Sequence, residues 1–293
     1  MHYVEDLAYL LRSDVVKVLA KVGSGHLGGC LSSADIVATL FGRGFLKHEE
    51  IGGRTVYPFV LSVGHLAPLL YAALARMGEF PLEELWTLRQ FQSRLQGHPS
   101  IGHEDDHNPT PGLFCGSGSL GQGLSIAAGM AVACPSTTVY TLLGDGELQE
   151  GQIWEAAMFA AHAKLTNLIA IVDWNGQQLD GTTTEVMNLD NLPNKWAAFG
   201  WEVQEIDGHS CQALDAALKR EGQVTKPLVI LAKTKMGCGI QTIENQSTWH
   251  GKTPTREQLD DFLKELQQAY STTQKSAKML PLDVAQTINS DVL

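Results

Sequence analysis

The apolar positions of this chain change period partway along it. Between Val4 and Val22 they fall at helical spacing, with Leu7, Leu10, Leu11, Val15, Val18 and Leu19 on one face, which predicts an amphipathic helix. That helix runs into a glycine-rich turn from Gly23 to Gly29. A second helix is expected from about Ser33, with Ser32 or Ser33 as the cap ahead of Ala34-Asp35-Ile36. Phe59 to Ser62 reads as a short strand that ends at Gly64-His65. From Thr138 onward, short continuous apolar runs alternate with helical segments. Val139 to Leu143, Leu168 to Val172, Trp201 to Ile206 and Leu228 to Ala232 read as strands, and Gln152 to Ala163, Ala213 to Lys219 and Thr255 to Tyr270 as helices. Apolar runs without alternation belong to strands buried on both faces. The pattern therefore predicts an α/β fold, a parallel sheet flanked by helices on both faces. Ligands of such sheets sit beyond the carboxyl ends of the strands.

Composition narrows the class. A length of 293 residues allows one or two domains. The periodic pattern fills residues 1–270, read as one domain, and residues 271–293 are polar and mixed, read as a tail or partner-docking segment. The net charge is −11, and the 21 Lys and Arg are scattered rather than gathered on a face, which argues against nucleic acid as a partner. No apolar run reaches the roughly 18 residues of a membrane span, and the first residues are acidic where a secretory leader would be basic. Cys30, Cys115, Cys134, Cys211 and Cys238 are odd in number and lack CxxC spacing. They fit buried thiols in a reducing cytoplasm better than a disulfide framework or a zinc site.

Candidate chemistry lies at the strand ends. Val139 to Leu143 delivers Gly144-Asp145-Gly146, in which two glycines let the backbone approach a bulky anion while the carboxylate points at something positive. A diphosphate alone would repel Asp145. A diphosphate carrying Mg²⁺ would not, because that ion takes one or two protein oxygens and keeps phosphate oxygens and water. The next strand delivers Asp173-Trp174-Asn175-Gly176, which places the Asn175 amide at the same edge. Four histidines, His26, His65, His98 and His250, sit in glycine-flanked turns rather than on apolar helix faces. There an imidazole can approach a ligand and exchange protons near neutral pH.

Three other segments are ambiguous. Gly116, Gly118 and Gly121 satisfy GxGxxG, but the lead-in Asn108-Pro109-Thr110-Pro111-Gly112 is no strand, so a dinucleotide-binding reading fails its context test. Glu147 and Glu150 open a helix, where partnering its macrodipole is one reading. His103-Glu104-Asp105-Asp106-His107 reads as a solvated loop rather than a metal cluster.

Gly144-Asp145-Gly146 followed one crossover later by Trp174-Asn175 resembles the paired motif of thiamine-diphosphate enzymes, with tryptophan in place of the first asparagine. The histidine set and the Gly116 to Gly123 loop are similar to those of transketolases, over roughly residues 4–270. The resemblance implies the thiamine-diphosphate-binding fold, with the diphosphate held through Mg²⁺ (or Ca²⁺ or Mn²⁺ in its place). Asp145, Asn175 and the carbonyl of Gln177 would be metal ligands. His65, Gly118, Ser119, Leu120, Gly144, Asp145, Gly146, Glu150, Asn175 and His250 would lie at the cofactor, Glu150 at a subunit interface. The Gly116 to Gly123 loop would open a helix beneath the diphosphate, whose free N–H groups would form an anion seat. His26, His65, His98 and His250 would be catalytic, lining the cofactor thiazolium and the hydroxyls of a sugar or sugar phosphate. The resemblance further implies a separately encoded partner carrying the pyrimidine-binding and C-terminal regions, in an α₂β₂ enzyme that is inactive without it. Such an enzyme moves a two-carbon ketol unit from a ketose to an aldose. The α subunit of a 2-oxo acid dehydrogenase shares the metal motif but not this histidine set. A non-catalytic homologue is the other alternative. Leu27 and Val63 depart from the family pattern, where proline and lysine are common, and leave acceptor preference open.

Overall fold

The computed structural model describes residues 2–102, 109–220 and 224–275. Five parallel strands form the central sheet: β1 (Phe59–Leu61), β2 (Val139–Gly144), β3 (Leu168–Trp174), β4 (Glu202–Asp207) and β5 (Leu228–Lys233), in the order β1-β2-β3-β5-β4. Helices cover both faces, as the continuous apolar runs predict. The split is visible in alternate residues of one strand. Ile169 and Ile171 of β3 pack with the N-terminal and C-terminal helices, Ala170 and Val172 with the opposite layer that holds Trp196 and Trp201. At one edge β4 is partly exposed along its length.

The first layer contains His2–Val22, Ala34–Gly42, Ala67–Arg76 and Arg256–Lys275. The second contains Gln122–Ala133, Gly151–His162 and Leu192–Ala198. Burial of the large aliphatic and aromatic side chains in each layer closes the sheet on both sides, at about 1.5–3 kcal/mol per side chain relative to exposure. The final helix runs to Lys275, five residues past the expected Tyr270. The remainder of the expected tail and the His103 to His107 segment lie outside the described residues.

Three local expectations are corrected. Ser33 precedes the helix Ala34–Gly42, but its backbone is already helical (φ −81, ψ −4) and its side chain caps nothing. A short helix, Leu27–Ser32, fills the space where a turn was expected. Both serine hydroxyls instead reach across the fold to Asp173. β3 also extends two residues further than expected, so Asp173 and Trp174 are strand residues rather than turn residues.

Register places the functional edge. Gly144 pairs with Asp173, and Asp173 with Ala232, so β2, β3 and β5 end level. Asp145, Asn175 and Thr234 emerge side by side. β1 ends one step away and delivers Val63, Gly64 and His65 to the same edge.

Candidate active site

A cavity of about 520 Å³ opens at this edge, within the range of small-molecule sites. His26, His65, His98 and His250 all line it, with Gly118, Leu120, Gly144, Asp145, Gly146, Glu150, Asn175 and Gln177. Of the predicted residues, Ser119 alone is absent from the lining and is exposed on the loop outside. The lining also includes Gln178 and Leu179 of the small hairpin after β3, and Asp173 and Glu147, whose roles the sequence did not disclose.

The histidines come from four distant segments and meet as rings. The centroids of His26 and His65 are 4.7 Å apart, those of His65 and His250 5.1 Å, and those of His26 and His250 5.7 Å. His98 packs over Gly118, where an added Cβ would touch its ring at 3.4 Å. Burial lowers the proton affinity of all four. His26 falls to about 4, through burial first and then through His250, Arg89 and His98. His65 is lowered by burial and by His26, His250 and His98, and His98 by burial and Arg89. His250 is lowered by burial against the opposing pull of Asp173. Near pH 7 the cluster is therefore a set of neutral imidazoles, able both to donate and to accept. Buried Nδ1 atoms of His26 and His250 find no hydrogen-bond partner within the protein, a situation that calls for an external one.

Below the rings the floor is acidic. Asp145 is 3% exposed and accepts hydrogen bonds from the backbone N–H groups of Gly146 (2.9 Å) and Gly176 (2.6 Å). Burial, and next the neighbouring Asp173, push its carboxyl up to about 7 despite those two bonds. Asn175 Oδ1 accepts from the N–H of Gln177 at 2.9 Å, and its Nδ2 donates to Asp173 at 3.0 Å.

Glu147 corrects the macrodipole reading. It is 3% exposed and lies in a 3-10 turn ahead of the helix. Its carboxylate accepts from Ser62 Oγ, from Gly121 N at 2.7 Å and from Gly144 N at 3.1 Å. It thus ties the ends of β1 and β2 to the start of the helix Gln122–Ala133. Ser62 Oγ in turn accepts from Gly123 N at 3.1 Å. The amides of Gly121 and Gly123 are consequently bonded to side chains of the protein. No strand leads into the Gly116 to Gly121 loop among the described residues, which agrees with rejecting a dinucleotide site.

A parallel sheet carrying a carboxylate, an amide and flanking glycines at its carboxyl edge, beneath clustered imidazoles, is the arrangement that the resemblance to thiamine-diphosphate enzymes implies. Similarity to known proteins makes that specific. A family model described as transketolase, thiamine diphosphate binding domain, matches residues 4–292, and the chain belongs to that family. It is 40% identical over 266 residues to the 6-deoxy-6-sulfo-D-fructose transketolase subunit SqwG of a Clostridium species, covering 89% of this chain and 94% of the relative. It is 34% identical to one subunit of the apulose-4-phosphate transketolase of Phocaeicola vulgatus, covering 90% of this chain and 94% of the relative. Against the human transketolase the identity is 38%, over 94% of this chain but 44% of that one. Among solved structures, the Campylobacter jejuni transketolase superposes with a TM-score of 0.80 at 31% identity, covering 92% of this chain and 43% of that one. The chain thus spans nearly all of two transketolase subunits and less than half of the longer transketolases.

Among the described residues, no helix is long and apolar enough to cross a membrane. All five cysteines are free.

Proposed function

We propose that this chain is the diphosphate-binding subunit of a transketolase, which moves a two-carbon ketol unit from a ketose to an aldose once a separately encoded subunit supplies the pyrimidine-binding region. The observation that carries the reading is the meeting of four neutral imidazoles above an acidic floor in one cavity. A 2-oxo acid substrate has no row of hydroxyls for so many donors and acceptors to hold. A sugar has.

The floor suits a hard divalent cation. Asp145 is a buried carboxylate whose bonded donors are backbone N–H groups and whose proton affinity is raised by burial and then by a second buried carboxylate. Such a pair is relieved by a cation. Asp145, the Asn175 amide oxygen and the Gln177 carbonyl would supply the oxygen ligands that Mg²⁺, Ca²⁺ or Mn²⁺ prefers. Gly118, Leu120, Gly144 and Gly146 would border the cofactor, with Glu150 at the rim toward a neighbouring subunit and Ser119 outside the cavity.

Thiamine diphosphate supplies the carbanion chemistry when bound. The chain's own part is binding and proton handling. His26 and His250, each with an unpartnered Nδ1, accept from or donate to sugar oxygens. His65 would lie toward the cofactor, and His98 packs against the Gly118 loop. Neutral imidazoles held in place as donors would stabilise charge that develops on a substrate oxygen.

Two relatives that match over nearly their whole length are named for a sulfonated and a phosphorylated sugar, so both kinds of donor belong in the assay. The binding test is calorimetric titration of thiamine diphosphate into the complex of both subunits, with and without Mg²⁺. Metal-dependent binding that is lost in Asp145→Ala supports the reading. Binding of equal strength without metal contradicts it.

A further inference from the structure

Asp173 is 2% exposed and is one of the most heavily hydrogen-bonded side chains in the molecule. Its Oδ2 accepts from Ser32 Oγ at 2.5 Å, Ser33 Oγ at 2.9 Å and Asn175 Nδ2 at 3.0 Å, and its Oδ1 accepts from Thr234 Oγ1. Every donor is an uncharged side chain, and they arrive from the helix Leu27–Ser32, the start of the next helix, the end of β3 and the residue after β5. The carboxylate itself borders the cavity.

We infer that Asp173 is a positioning residue for the metal seat, whose carboxylate fixes the orientation of the Asn175 amide so that its oxygen faces the ion. The inference rests on the proposed metal-dependent cofactor site. An asparagine amide has two nearly isosteric ends, and only the oxygen can ligate a cation. Here the nitrogen is held by Asp173, and the oxygen is turned toward the Gly176-Gln177 backbone, accepting from Gln177 N at 2.9 Å. Asp145 Oδ2 accepts from the adjoining amide, Gly176 N, at 2.6 Å. The two side-chain oxygens proposed as ligands thus converge on consecutive peptide groups. Rotating the Asn175 amide by half a turn would set oxygen against carboxylate and N–H₂ against N–H, so both bonds would be lost together. The serine and threonine hydroxyls hold the carboxylate itself in place.

The test is titration of Mn²⁺, followed by its electron paramagnetic resonance signal, into the full chain in complex with its partner and thiamine diphosphate. Wild type is compared with Asp173→Asn, Asn175→Asp and the exchanged pair D173N/N175D. Removing the partner that orients a metal ligand typically costs 10–100-fold in affinity, so D173N should bind Mn²⁺ at least about tenfold more weakly. In the exchanged pair the new amide at position 173 would donate to a carboxylate at position 175 that needs no orienting, and most of the affinity should return. N175D alone sets two carboxylates at the 3.0 Å contact, and should bind more weakly than the exchanged pair. A role in overall charge alone gives the opposite order, with N175D tightest. That order, or D173N binding like wild type, overturns the inference. Should D173N and the exchanged pair fail to fold, N175D, which keeps Asp173, still decides against wild type: weaker Mn²⁺ binding supports the inference and tighter binding overturns it. Absence of Mn²⁺ binding by wild type would instead remove the metal site on which the inference rests.

Discussion

Replacing Asp145 with asparagine separates what the fold needs from what the site needs. The carboxyl is 3% exposed and its pKa is pushed up to about 7 from an ordinary 3.8, by burial first and by Asp173 second. One pKa unit corresponds to about 1.4 kcal/mol, so holding this group ionised above pH 7 costs the metal-free chain about 4 kcal/mol. Asparagine removes the charge but can accept only one of the two N–H bonds from Gly146 and Gly176, and an unsatisfied buried donor costs about 1–3 kcal/mol. The metal-free variant should therefore be the more stable protein at pH 8, by about 1–3 kcal/mol. At about 2–4 °C per kcal/mol for a domain approaching this size, it should melt several degrees higher. The sign with pH follows from the raised acid: wild type regains stability as pH falls through 7 toward 3.8, so the gap should close on acidification. Scanning calorimetry without metal or cofactor at pH 8 and pH 5 measures both effects. A variant that melts below wild type at pH 8 would refute the electrostatic reading of the floor.

The histidines impose the opposite trend. His26 has a pKa of about 4 in the folded chain against 6.5 for an ordinary imidazole, so the unfolded chain takes up the proton first and stability is lost as pH falls from about 6.5 to 4. The ring is part-exposed, which reduces its share to about 1–2 kcal/mol. The loss should shrink in His26→Gln when denaturant midpoints are compared at pH 7 and pH 4.5. Glu147→Ala strands Ser62 Oγ and the amides of Gly121 and Gly144. At about 1–3 kcal/mol for each buried group, partly relieved by water, the urea midpoint should show a loss of about 3–5 kcal/mol. A Cβ at Gly64 would lie 2.8 Å from Gly118 N, a backbone atom, so Gly64→Ala should weaken cofactor binding about tenfold or more in a titration while leaving the far-ultraviolet circular dichroism unchanged.

Much of this was legible along the chain because β2, β3 and β5 are buried on both faces. Continuous apolar runs such as Leu168–Val172 cannot belong to a half-exposed strand. The glycine-flanked histidines carried little signal one by one. Their convergence was implied by the family resemblance alone, because it is set by crossovers that bring residues 26, 65, 98 and 250 to one edge. Ser33 was misread for the same reason. Beside Ala34-Asp35 it has the composition of a cap, but its partner is Asp173, 140 residues away. Glu147 carried the signal of a helix start and is instead the buried brace of three segments, which local propensity cannot distinguish. The pairing of Asp173 with the Asn175 amide was within reach, since side chains two apart along extended backbone share a face. The hydroxyls that hold Asp173 come from other elements and were beyond it.

The central claim is that this chain contributes the diphosphate and sugar-binding half of a transketolase and acts only with its partner. The most direct measurement is ketol transfer by this chain alone, by a partner carrying the pyrimidine-binding region alone, and by the two mixed. Each is assayed with thiamine diphosphate and Mg²⁺ and with phosphorylated and sulfonated ketose donors. Transfer in the mixture only, with no decarboxylation of pyruvate, is the expected result. Full transfer by this chain alone, or pyruvate decarboxylation without ketol transfer by the mixture, would contradict the account.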